Sequence, residues 1–238
     1  CMLSVISIFC MISVCESSGG TFSCSPSIAS TVSMNRKFGG AATAANGVVV
    51  FTPSNADCVG LWNPATQTFS CPSIASTIST DYKFIGAATA DNGVVVFAPD
   101  KADCIGLWNL TTQIFSCPSI ASTVSMTNKF AGAATTANGI VVLAPNNADC
   151  VGLWDPTTQT FSCPSIASTI STDYKFFSAA TAGNGVVVFA PWNADCVGLW
   201  DPATQTFSCP SIASTISTDQ KFNGAATAGN GVVVFVPW

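Results

Sequence analysis

One module is written five times in this chain, and its 46-residue period constrains the fold more than any other feature. The copies are marked by Lys37, Lys83, Lys129, Lys175 and Lys221. Nine residues after each lysine comes NGVVV or NGIVV, starting at Asn46, Asn92, Asn138, Asn184 and Asn230. The copies with room to continue go on through Asp-Cys, Gly-Leu-Trp and Phe-Ser-Cys. A repeat running to the last residue describes one object and leaves no linker, so residues 1–238 read as a single domain.

Within the second copy the apolar runs are short, which predicts strands at 83–90, 94–98, 104–108 and 113–120. Asp91-Asn92-Gly93 is read as a two-residue hairpin of type I′, with both central residues at positive φ. Asn63-Pro64-Ala65-Thr66, with its counterparts at Asp155-Pro156 and Asp201-Pro202, is read as a turn that pairs Trp62 with Gln67. Four antiparallel strands in 46 residues, apolar on both faces, predict an all-β fold: a five-bladed β-propeller of four-stranded antiparallel blades. Complete blades fall at 37–72, 83–118, 129–164 and 175–210. The small Ala87-Ala88-Thr89 and its equivalents suit the crowded position beside the axis. The Asp-Cys unit occurs four times against five lysines, so the last copy stops two strands in. Residues 10–24, ending in TFSC, are read as the missing outer strands, so that 10–24 with 221–238 form a closing blade that removes open sheet edges. Residues 1–9 are then an extension or the remnant of a signal segment.

Trp62-Asn63-Pro64-Ala65-Thr66-Gln67-Thr68-Phe69, and likewise Trp200-Asp201-Pro202 through Phe207, resemble the third-strand, turn and fourth-strand segment of kelch-type propeller repeats. The resemblance covers the second half of each repeat. Ala98-Pro99 and Thr52-Pro53 stand where kelch repeats carry a diglycine. What it implies is a kelch-like propeller.

Charged residues make up 8% of the chain, with seven basic and twelve acidic side chains and a net charge of -5. The absence of any basic run removes the electrostatic attraction that nucleic-acid binding depends on. The one continuous apolar stretch outside the repeats, residues 2–15, is too short to span a bilayer. It has the length of a signal-peptide core without a basic start, and it equally reads as a strand; both readings stand. The expected partners are glycans or an extracellular protein, with no nucleic acid and no membrane insertion.

Eight of the twelve cysteines form pairs thirteen residues apart, predicting the disulfides Cys58–Cys71, Cys104–Cys117, Cys150–Cys163 and Cys196–Cys209. Cys24 lacks a partner at that spacing; Cys10 is the first candidate and Cys15 the second. Repeated bridges and low charge point to a secreted or extracellular protein. Asn109-Leu110-Thr111 is the one glycosylation sequon, and Asn109 falls in a turn.

The chain has no His and a single Glu, Glu16, and no Ser lies in a nucleophile motif, so neither a triad nor a metal site can be assembled, and no cofactor is expected. A carboxylate pair drawn from Asp81, Asp103 and Asp173 is the remaining catalytic reading. Binding is the more natural use of equivalent blades. The loop between second and third strands and the blade-to-blade connection open on one face. That face carries Asp57, Asp103, Asp149 and Asp195 with Tyr82, Tyr174, Trp192 and Trp238 as candidate ligand contacts. Carboxylates, amides and aromatic faces together suit sugars, and tachylectin-type lectins are similar in being five-bladed with repeated sites. The alternatives are a protein-interaction or matrix scaffold for the whole chain, and a Lys–Asp structural clamp for the aspartates.

Overall fold

The short apolar runs separated by Asn-Gly and Pro-containing turns fold as strands, and no helix occurs among the described residues. The computed structural model describes residues 31–238 in full, together with the backbone of two short strands at 15–18 and 21–24. Those two, β1 (Cys15–Ser18) and β2 (Thr21–Cys24), form a hairpin. The first full blade comprises β3 (Phe38–Thr43), β4 (Val49–Pro53), β5 (Gly60–Asn63) and β6 (Thr68–Ser70). The second comprises β7 (Phe84–Thr89), β8 (Val94–Pro99), β9 (Gly106–Asn109) and β10 (Ile114–Ser116). The third comprises β11 (Phe130–Thr135), β12 (Val141–Pro145), β13 (Gly152–Asp155) and β14 (Thr160–Ser162). The fourth comprises β15 (Phe176–Thr181), β16 (Val187–Pro191), β17 (Gly198–Asp201) and β18 (Thr206–Ser208). A last hairpin, β19 (Phe222–Thr227) and β20 (Val233–Pro237), ends the chain.

Each full blade is a four-stranded antiparallel meander, and the first strands β3, β7, β11, β15 and β19 pack side by side along one axis. This is the propeller expected from the repeat. The two end hairpins are the halves that a closing blade requires. Among the described residues they are separate two-stranded sheets with no ladder between them, and Val232, Val234 and Val236 lie exposed on the final hairpin. Residues 1–14 lie outside the described residues.

Apolar cores form between blades. Trp108 and Phe84 of the second blade pack with Val50, Val59 and Ile74 of the first. Trp154 and Phe130 pack on Val96, Ile105 and Ile120, and Trp200 and Phe176 on Val142, Val151 and Ile166. The tryptophans of the Gly-Leu-Trp motif are therefore packing residues, at most 4% exposed. Near the axis a second tie runs from blade to blade. The hydroxyls of Thr89, Thr135, Thr181 and Thr227 each donate to the backbone carbonyl of the threonine one repeat earlier, at 2.8–3.0 Å.

Two turns differ from the reading above. The Asn-Gly loop holds three residues, because Gly93 alone is at positive φ (79°) while its N–H bonds to Ala90 O. Asn92 instead uses its side-chain oxygen to accept the N–H of Val94. In the third-to-fourth-strand turn Trp62 pairs with Phe69, two residues beyond the expected register. Asn63 Oδ1 accepts the N–H groups of Ala65 and Thr66, and Gln67 takes a left-handed conformation (φ 55°), which lengthens the loop. Cys58 consequently faces Ser73 in the ladder and reaches Cys71 diagonally. All four thirteen-residue disulfides still form, with Cα–Cα distances of 5.2 Å. The fourth strands are only three residues long, since each runs into a Cys-Pro step that lacks a donor. In the first hairpin the register sets Cys15 across from Cys24, and Cys10, the first candidate, lies outside the described residues.

The inner strands approach one another so closely that side chains are excluded. A Cβ on Gly86 would lie 2.4 Å from Ala131 O and 2.8 Å from Gly132 Cα, both backbone atoms of the next blade. At the equivalent place in the fourth blade Ser178 is accommodated by accepting the N–H of Ala225. Gly86→Ala should therefore cost about 3 kcal/mol through overpacking. Gly93→Ala, which meets open space and suffers only its positive φ, should cost about 1 kcal/mol. Urea unfolding midpoints of the two variants check that order.

Candidate functional site

The repeated lysine builds the loop face. Its backbone closes the second-to-third-strand loop of its own blade, as where Asp100 N and Ala102 N donate to Lys83 O. Its ammonium reaches back to the preceding blade. Lys83, Lys129, Lys175 and Lys221 are at most 3% exposed, yet each places Nζ 2.8–3.0 Å from the carboxylate of Asp57, Asp103, Asp149 or Asp195. Lys83 Nζ also donates to the carbonyls of Asn55 and Ala56. A buried ammonium without such partners would be strongly destabilising. The four aspartates are thus engaged in the clamp, with their outer sides open to water.

The residue before each lysine stands in the left-handed region: Arg36, Tyr82, Asn128, Tyr174 and Gln220, with φ of 49–55°. An asparagine amide of the preceding blade holds this strained step. Asn55, Asn147 and Asn193 accept the N–H groups of Tyr82, Tyr174 and Gln220 through Oδ1. At Lys101 the asparagine is missing, and the neighbouring Asp100 turns its carboxylate to the N–H of Asn128 instead.

Three positions in which the copies differ converge here. The position before the lysine reads Arg36, Tyr82, Asn128, Tyr174, Gln220. Two residues after the lysine the copies read Gly39, Ile85, Ala131, Phe177, Asn223, and after the second-strand proline they read Ser54, Asp100, Asn146, Trp192, Trp238. Met34 and Asn35 begin two further mixed columns in the same connection. On the opposite face the differences are smaller: the column from Ala45 to Gly229 is small apart from Asp91, and the outer turns vary between Asn63, Asn109, Asp155 and Asp201, between Pro64 and Leu110, and between Ala65 and Thr111. Sequence reasoning singled out Tyr82, Tyr174, Trp192 and Trp238 but missed the rest. The signal was available by asking where the copies disagree.

These residues ring the mouth of the axis. A cavity of about 340 Å³ runs between the inner strands, lined by Gly39, Ile85, Ala131, Phe177 and Asn223 among others. Trp192 packs on Phe177 with the rings tilted and their centroids 5.0 Å apart, and it meets Trp238 edge-on at 5.3 Å. Trp238 is 72% exposed. Tyr174 is exposed, and its hydroxyl accepts from Asn128 Nδ2 at 3.0 Å. Tyr82 carries Arg36 and Lys101 over its ring. Away from this face, Asn109 spends its side-chain oxygen on the N–H groups of Thr111 and Thr112 in the turn that carries the sequon. Among the described residues no group of three or more His, Cys, Asp or Glu side chains is placed to hold a metal ion.

No family model and no curated protein sequence matches the chain. Solved structures do. A streptogramin B lyase matches with a TM-score of 0.70 at 17% identity, over 92% of this chain and 66% of the lyase. Virginiamycin B lyase from Staphylococcus aureus matches with a TM-score of 0.67 at 14% identity, over 86% of this chain and 64% of the lyase. The WD40 repeats of RRP9 match at 0.55 and 10%, over 73% and 50%. This chain spans about two thirds of the length of the lyases it matches. At such identities the likeness shows the propeller fold and nothing of the chemistry, and it shows no kelch-specific motif.

Asp100 is 4% exposed, and burial pushes its carboxyl from an ordinary 3.8 up to about 6, against the opposing pull of Lys101, Lys129 and the Asn128 N–H. A carboxyl whose pKa is raised by folding keeps its proton longer in the folded state. It therefore costs stability as pH rises through the interval from about 4 to 6. Asp100→Asn, which installs the residue the third blade carries as Asn146, should raise the melting temperature at pH 7.5. The advantage should vanish toward pH 4; thermal melts at the two pH values check this.

Proposed function

We propose that this chain is an extracellular binding module that recognises carbohydrate through the loop face around the axis mouth. The observation that carries this reading is the distribution of differences among the copies. The residues that pack, clamp or bridge are nearly invariant, while those at the mouth change in size, polarity and aromaticity from blade to blade. A scaffold that needed only to close would gain nothing from placing Tyr, Trp, Phe, Asn, Gln and Arg at equivalent sites. The mixture suits sugars: Trp192, Trp238 and Tyr174 offer flat faces for the apolar side of a pyranose, and Asn193, Gln220 and Asn223 lie close by in the same blades with amide donors and acceptors.

Because the mouth differs at every blade, the ligand meets one composite site in place of the repeated equivalent sites read from the sequence. The extracellular assignment rests on the four disulfides, which persist in oxidising compartments. No helix among the described residues is long and apolar enough to cross a membrane. The chain is read as a binder because the repeated aspartates of the loop face are engaged by the clamp lysines.

Trp192→Asn, again a residue the third blade already uses, should weaken retention on the glycan the wild type binds by about tenfold, in keeping with the loss of one stacking contact. Ile114→Ser, on the exposed outer strand β10, should leave it unchanged. A broad glycan array followed by titration of both variants makes the measurement. No glycan binding, together with capture of a protein partner that Trp192→Asn abolishes, would replace carbohydrate with a protein ligand.

A further inference from the structure

Of the seven basic side chains, five are the repeated lysines buried under the loop face. Lys83, Lys129, Lys175 and Lys221 are paired with aspartates, and Lys37 donates Nζ to Met34 O at 2.6 Å. The two remaining cations, Arg36 and Lys101, come from different blades and stand over the same ring. Arg36 Cζ lies 5.4 Å and Lys101 Nζ 4.5 Å from the centroid of Tyr82. Both are exposed, and neither takes part in an ion pair among the described residues. Their charges are therefore no more than about 10 Å apart in a protein of net charge -5.

From the geometry we infer that the ligand of the loop face is an acidic glycan, and that Arg36 and Lys101 hold its carboxylate or sulfate group beside Tyr82. The inference rests on the carbohydrate reading above and adds the chemical class. Lys101 is the telling residue. The other complete copies carry Asn55, Asn147 and Asn193 there, and each asparagine accepts the N–H of the following left-handed residue. Replacing that amide with an ammonium leaves the N–H of Asn128 to the Asp100 carboxylate and brings a second cation to the ring that Arg36 already meets. Two like charges on one ring repel, and the ring face offsets each only weakly at an exposed site. An anion within reach of both reverses the sign of the balance. The guanidinium offers a two-pronged hydrogen-bond donor to carboxylate or sulfate, and the ammonium adds a point charge. Of the carboxylates adjoining Lys101 and Tyr82 in sequence, Asp100 is buried and feels the Lys101 charge without forming an ion pair with it, and Asp81 is exposed without an ion pair to either cation.

The test compares a heparin oligosaccharide, a polyuronate and a neutral dextran of similar length on the full chain, by surface plasmon resonance. Three proteins are used: wild type, Lys101→Asn, and the double variant Arg36→Gln with Lys101→Asn. Lys101→Asn restores the residue of the other copies, so its melting temperature should hold and it keeps the test readable if the double variant unfolds. The expected result is binding of one or both acidic chains by the wild type and a loss of about tenfold for Lys101→Asn. The loss should be larger for the double variant, and binding should weaken steeply in about 0.5 M sodium chloride. Equal binding of dextran and acidic chains, or acidic binding untouched by either variant, overturns the anion site while leaving carbohydrate recognition in place. No binding to any glycan, with capture of an acidic peptide through Arg36 and Lys101, overturns both the glycan class here and the carbohydrate reading.

Discussion

The buried lysine ammonium is the interaction on which the rest of the molecule depends. Four of these charges are almost fully withdrawn from water and are tolerable only because the preceding blade presents a carboxylate and backbone carbonyls to them. That requirement fixes the angle between consecutive blades on the loop face. The threonine hydroxyls fix it near the axis, and the tryptophan-centred cores fix it in between. A blade in this protein is not an independent unit: its lysine, its Phe and its Trp all find their partners in the blade before it.

Much of this was legible in the sequence because repetition multiplies weak signals. Strand count, blade count and the four disulfides follow from a pattern seen four or five times over. The finer geometry was not legible, for a local reason. Gln67 and its equivalents take a left-handed conformation for which a Gln gives no warning, and the turn is two residues longer than Pro64 implied. The Asn-Gly turn erred similarly, since only Gly93 needed positive φ. The cysteine pairs survived the register error because a diagonal pair can still sit at bonding distance. In the first hairpin the register brought forward the second candidate, Cys15.

The binding face was half legible. Reading the repeats for what they share drew attention to Asp57, Asp103, Asp149 and Asp195, which the clamp occupies. Reading them for what they do not share leads to Arg36, Lys101, Phe177 and Trp192. An invariant charged residue in a repeat protein is explained first by the repeat's own closure, and a variable one has no such explanation. The left-handed step before each lysine shows how the two demands are joined. The invariant lysine and the asparagine amide hold the backbone, and the side chain they present is free to differ.

The central claim is that invariant residues hold this fold while the varied mouth binds. Its most direct test is the binding isotherm of a levelled chain in which the mouth is given the third blade's residues throughout. Arg36, Ser54, Tyr82, Asp100, Lys101, Tyr174, Trp192, Gln220 and Trp238 become Asn, and Ile85, Phe177 and Asn223 become Ala, with Gly39 alone kept because a Cβ there would meet the Ile85 backbone at 2.9 Å. The account predicts a cooperatively melting protein with its four disulfides intact and no measurable affinity for the glycan that the wild type retains. Undiminished affinity in a folded, levelled chain would contradict it.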